Sequence, residues 1–180
     1  MAQDEEKEVL VIKDNKKRIG IIIGIIVLLL VIVLVVFGIV NKDKFKYFGA
    51  DMVLHSYANS YLKLDGKKYC NVMPEQIINK SYEGKDKCNE AMNKIFSNVK
   101  EKKQEFKNYE IKDKDEVSEE DFKLITMDLE RNYDISSKDI KKIVRYSLSF
   151  SYKDNDTKNE VKVYVAKINN KWFVVDQKTV

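Results

Sequence analysis

Proline occurs once, at Pro74, histidine once, at His55, tryptophan once, at Trp172, and cysteine twice, at Cys70 and Cys88. A single histidine excludes most histidine-rich metal centres and nucleophile–histidine triads, which need several ligands or a base with an orienting partner. Asp51 stands one helical turn before His55, a spacing that arises by chance in any helix, so no catalytic residue is assigned. Asp154, Asn155 and Asp156 resemble the start of a calcium loop but lack the required glycine and the distal glutamate, and read as a solvated turn. No metal and no cofactor is expected. A strong charge of one sign is also missing. The net charge is +4, from 33 basic and 29 acidic side chains. Residues 1–40 carry five of each, so the excess lies wholly in residues 41–180, interleaved with acids. That field is too weak to point to nucleic acid.

Against these absences stands one long apolar run, Ile19 to Val40, IGIIIGIIVLLLVIVLVVFGIV, 22 residues without charge or proline. A helix of that length rises about 33 Å, enough to cross a hydrocarbon core of about 30 Å. Signal peptides have shorter apolar stretches and a small-residue cleavage site, and neither feature occurs here. The run therefore reads as an uncleaved transmembrane helix in contact with the lipid bilayer. Lys13, Lys16, Lys17 and Arg18 precede it, against Lys42, Lys44 and Lys46 after it. The short basic tail favours residues 1–18 as a cytoplasmic tail and residues 41–180 as an extracytoplasmic domain of a single-pass protein. The tail has one apolar island, Val9 to Ile12. Gly20 and Gly24 form a small-xxx-small pair of the kind that brings helices together. The abundance of Lys, Asn and Ile points to an AT-rich, bacterial genome.

The 140 residues after the span are enough for one α+β domain. Phe45, Phe48, Met52, Ala58 and Leu62 predict a helix over 44–64, ended by Asp65 and Gly66. Pro74 starts a short helix reaching about Asn79. Met92, Ile95, Phe96, Val99 and Phe106 form one stripe of a longer helix from Cys88 to about Asn108. Tyr109, Ile111 and Val117 suggest a first strand. Ser118, followed by Glu119, Glu120 and Asp121, caps a helix whose apolar face is Phe122, Ile125 and Leu129. Strict alternation then marks Ile143 to Tyr152 as a half-buried strand, with Val144, Tyr146, Leu148 and Phe150 on one face. Val161 to Ile168 and Trp172 to Val175 are the last two strands, joined at Asn169 and Asn170. A two-residue turn there pairs Val165 with Val174, Lys167 with Trp172, Ala166 with Phe173, and Tyr164 with Val175. Both faces of that hairpin are apolar, so the sheet needs two covers.

Cys70 and Cys88 have 17 residues between them. An oxidising exterior favours a disulfide, which would stabilise the fold by about 3 kcal/mol; the other reading is two buried thiols. Tyr146, Phe150, Tyr164, Trp172 and Phe173 are first of all core residues, and are also candidates to line a pocket.

The order of elements, with SYLKLDGKKYCNVM inside Tyr57 to Met73 and VYVAKINNKWFVVD inside Lys162 to Asp176, resembles the nuclear transport factor 2-like (cystatin-like) fold. The resemblance implies helices packed on a curved antiparallel sheet to make a cone. Single-span bacterial proteins with such domains include assembly factors of type IV secretion and conjugation machines, and domains ahead of penicillin-binding transpeptidases. An NPxG-like turn of the secretion family is missing here. Enzymes of the fold place an Asp or His inside the cone, and this chain has no assigned counterpart. The resemblance thus implies a non-enzymatic interaction or assembly module of the bacterial cell envelope, with a protein partner or a homo-oligomer. The alternative is a sensor that binds a small ligand or lipid inside the cone.

Overall fold

A computed structural model describes residues 27–31, 47–154 and 157–179. The chain divides into two units, Met1–Lys46 and Tyr47–Val180. In the first, residues 27–31 are helical with exposed side chains. The tail, its Val9 to Ile12 island, the Gly20 and Gly24 pair, Phe45 and the rest of the apolar run lie outside the described residues. Among the described residues no helix is long and apolar enough to cross a membrane.

The second unit is α+β, with helices and an open four-stranded antiparallel sheet in the order β1-β2-β3-β4. Helix α1, Phe48–Lys63, ends at Leu64 in the left-handed conformation. Where the sequence suggested only a turn, Asp65 caps a further helix, α2, Gly66–Asn71, accepting a hydrogen bond from the Lys68 N–H at 2.9 Å. Glycine opens this helix because a Cβ at position 66 would lie 2.6 Å from Asn93 Oδ1. Helix α3, Glu75–Tyr82, runs past Asn79, with Pro74 at its cap. Helix α4 spans Lys85–Glu101, earlier at both ends than expected. The predicted stripe misled there: Met92 and Phe96 are buried, Ile95 is 49% exposed, and Phe106 belongs to the next strand. Lys103, at φ 54, makes the turn between them.

Strand β1, Phe106–Glu116, is longer than the sequence suggested. Helix α5, Glu119–Tyr133, starts on Ser118, whose Oγ accepts from the Asp121 N–H at 3.1 Å. Strands β2, Ile140–Tyr152, β3, Lys158–Ile168, and β4, Lys171–Thr179, complete the meander. Asn169 and Asn170 both have positive φ, 45 and 66, and close the last hairpin as a two-residue turn matched to strand twist. Val165 pairs with Val174, Ala166 with Phe173 and Lys167 with Trp172. The fourth expected pair is different: Tyr164 lies opposite Asp176, and the register shifts there. Val175 is the extra residue of a β-bulge, and its side chain joins Tyr164 in the same apolar cluster.

Two cores result, one on each face. On the first, Val144, Tyr146, Leu148, Phe150, Val163, Val165 and Val174 pack against buried side chains of α1 to α4. On the second, Ile143, Tyr164, Ala166 and Val175 pack beneath Leu129 of α5, with Ile135 and Ile77. Alternation along β2 and β3 thus serves two separate covers.

Candidate functional site

The space between α1 and the sheet is where the cone reading puts a pocket, and aromatic rings fill it. Tyr61 is the hub. Its ring centroid lies 5.2 Å from Tyr57, 5.8 Å from Tyr69, 5.5 Å from Phe96 and 5.9 Å from Phe150, mostly edge-on. Phe106 continues the cluster, 4.8 Å from both Phe150 and Tyr152. Rings at these separations and tilts attract through their quadrupoles in addition to the area they bury. The Tyr57 hydroxyl donates to Gln177 Oε1, which satisfies a phenol otherwise closed off from water. A cavity of about 190 Å3 remains beside Tyr57, Tyr61, Phe150 and Gln177. Ligand pockets usually exceed about 300 Å3, so this volume is packing residue more than a binding chamber.

The five residues expected to line one pocket are not brought together. Tyr146 and Phe150 are buried in the first core, Tyr164 in the second, and Phe173 packs against the second. Trp172 is half-buried at the opposite end of the first face, lining an outer groove. The physical reason is parity: Tyr164 and Phe173 point to the face of the sheet opposite Tyr146 and Phe150. Cys70 and Cys88 are joined by a disulfide, with Cα atoms 6.1 Å apart, which ties α2 to α4 behind the aromatic cluster.

Asp51 and His55 do not form a dyad. Asp51 accepts from Lys114 Nζ at 3.2 Å and from the Tyr146 hydroxyl at 2.8 Å. His55 Nδ1 is hydrogen-bonded to the Tyr109 hydroxyl. Lys114 and Lys142 also sit over the Tyr47 ring, at 5.1 and 4.8 Å. This network fastens the start of α1 to β1 and β2 through charge and π contacts. Burial, and then the hydrogen bond to Asp51, hold the Tyr146 phenol above its ordinary pKa of 10.0. Burial does the same for Tyr57 and Tyr69, with neighbouring Tyr61 adding to it. These phenols stay neutral near pH 7, so they donate hydrogen bonds and do not act as bases. Among the described residues no group of three or more His, Cys, Asp or Glu is placed to hold a metal ion.

Among the grooves on the outside of the described residues, two have exposed apolar side chains on their walls. The first, of about 510 Å3, runs between α1, α2 and the start of β4, with Met52, Val53, Val72 and Trp172 as apolar wall and Lys67 and Lys68 on its rim. Met52, one of the apolar positions whose spacing predicts helix α1, is 57% exposed. Gly49 lets the wall close: a Cβ there would lie 2.4 Å from Trp172 Cδ1. The second groove, of about 570 Å3, lies between α5 and β4, with Leu124, Met127, Arg131, Tyr164, Asp176 and Lys178 around it. Leu124 is 57% and Met127 46% exposed. The signal for this surface was in the sequence: both residues fall off the Phe122, Ile125, Leu129 stripe.

Comparison with known proteins finds no matching family model, no matching curated protein and no matching solved structure.

Proposed function

We propose that this chain is a single-pass protein of a bacterial cell envelope, anchored through residues 19–40, whose outer α+β domain is a non-enzymatic interaction or assembly module. The observation that carries this reading is where the apolar surface lies. The interior is filled by rings, while Leu124 and Met127 of α5 face outward beside a groove with charges of both signs on its rim. Apolar centres with polar rims are what protein interfaces present. The Cys70–Cys88 disulfide supports an oxidising compartment for residues 41–180. Helices covering an antiparallel meander support a nuclear transport factor 2-like fold, and register shifts in all three strand pairs support a curved sheet. A ligand-sensing pocket inside the cone is the weaker reading, because aromatic rings fill the space between α1 and the sheet and the cleft beside them is only about 190 Å3.

The test uses the full chain in its native membrane. Protease added to intact cells is expected to digest the outer domain while the protein resists carbonate extraction. Detergent-solubilised protein is expected to migrate as an assembly larger than its 21.1 kDa chain, and Leu124→Asp with Met127→Asp should release the monomer. A soluble protein, or a monomer indifferent to those substitutions, overturns the reading.

A further inference from the structure

The outer groove at the start of α1 has a second property: it lies at the end of the domain where the chain arrives. Trp172 packs on Gly49 in the first turn of α1, and Lys142 covers the Tyr47 ring. Lys167 pairs with both Lys142 and Trp172, and Lys171 opens β4 next to Trp172. Lys67 and Lys68 rim the same groove. One end of the domain therefore combines the exposed Met52 and the amphipathic indole of Trp172 with five lysines. Against these stand Asp51, paired with Lys114, Glu116, paired with Lys142, and Asp65, whose carboxylate caps α2. Among the described residues, Lys67, Lys167 and Lys171 remain in excess.

The length of chain between this end and the apolar run sets what it can meet. Seven residues, 41 to 47, separate Val40 from Phe48. Fully extended they reach at most about 24 Å. A domain of about 134 residues has a radius of gyration of about 14 Å, so the tether is shorter than the domain is wide. Three of the seven tether residues are Lys42, Lys44 and Lys46. Basic juxtamembrane segments are drawn to anionic lipid, and indole rings collect at the level of the headgroups.

We propose that the domain lies with this end against an anionic bilayer surface, Met52 and Trp172 seated in the headgroup layer and Lys67, Lys167 and Lys171 over lipid phosphates. The proposal rests on the anchor reading given above and adds to it a fixed face for the domain. Trp172 is the sole tryptophan, so its emission reports this one place. The full chain is reconstituted into vesicles of phosphatidylcholine and phosphatidylglycerol, with and without bromine on the acyl carbons nearest the headgroups. Loss of Trp172 emission in the brominated vesicles is the expected result. Recovery of that emission is expected in Lys67→Glu with Lys171→Glu, two exposed positions whose side chains take no part in the core, and in high salt. Emission unchanged by bromine, in protein that resists carbonate extraction from the same vesicles, overturns the proposal while leaving the anchor intact; a groove reserved for a protein would give that result. Protein extracted by carbonate overturns the anchor and the proposal together.

Discussion

The two faces of the sheet are covered in different ways. The first is closed by four helices, a hub of tyrosine and phenylalanine rings and a disulfide. The second is closed by α5, with Ile77 of α3 and Ile135 beside it, over part of its length; beyond them the sheet carries a polar ladder of Ser147, Ser149 and Ser151 between Glu110 and Asp113 on one side and Lys158, Glu160 and Lys162 on the other. The same strands supply both faces. The comparison teaches that stability is concentrated on the first face and accessible surface on the second.

If so, damage to the first face costs most. Alkali is the broadest probe of it. The folded state keeps protons on Tyr57, Tyr69 and Tyr146 that the unfolded chain gives up near the ordinary phenol pKa of 10.0. Their raised pKa values contribute stability that is whole below pH 10 and is lost as pH climbs above it. Absorbance of ionised tyrosine should rise in two stages, exposed phenols first, then these three in one step with loss of helical circular dichroism. A single smooth titration with the fold intact contradicts the closed hub.

Truncation distinguishes the faces directly. Phe96→Ala, which empties the ring cluster, is expected to cost about 3 to 5 kcal/mol in urea unfolding, and Leu129→Ala on α5 about 2 kcal/mol, because the adjoining groove lets the site relax. Equal costs would remove the asymmetry. Reduction of the Cys70–Cys88 bond, or Cys70→Ser with Cys88→Ser, is expected to lower stability by about 3 kcal/mol through the freed loop. The smallest effect belongs to the second face. Ser149 is 2% exposed, and its hydroxyl finds no partner among the described residues. Ser149→Ala should be neutral or stabilising by up to about 1 kcal/mol, and a clear loss would reveal a hydrogen bond made there.

The strands were legible in advance because alternation over β2 and the Asn169–Asn170 turn fix register locally. Helix limits were less so. Phe106 continues the spacing of Met92 and Phe96, yet Lys103 takes a left-handed conformation and sends Phe106 into β1, a choice made by the sheet and not by the local pattern. Helix α2 was hidden because its glycine is required by two asparagines of α4, a contact invisible in a linear reading. The bulge at Val175 likewise depends on the apolar cluster that Tyr164 shares. The proposed pocket failed on parity, which the sequence did contain: Tyr164 and Phe173 alternate with Val165 and Val174 and so belong to the opposite face.

The contact between Gly49 and Trp172 joins residues 123 positions apart, and Tyr57 reaches Gln177 across 120. A ribosome adding about 5 to 20 residues per second takes roughly 6 to 25 s to travel that distance. For that interval the first helix of the domain has been made and its final neighbour has not. The domain's earliest segment is therefore among the last to be locked, and a nascent chain stalled before position 172 would hold that helix without the strand that brings Trp172, Val174 and Gln177 to it.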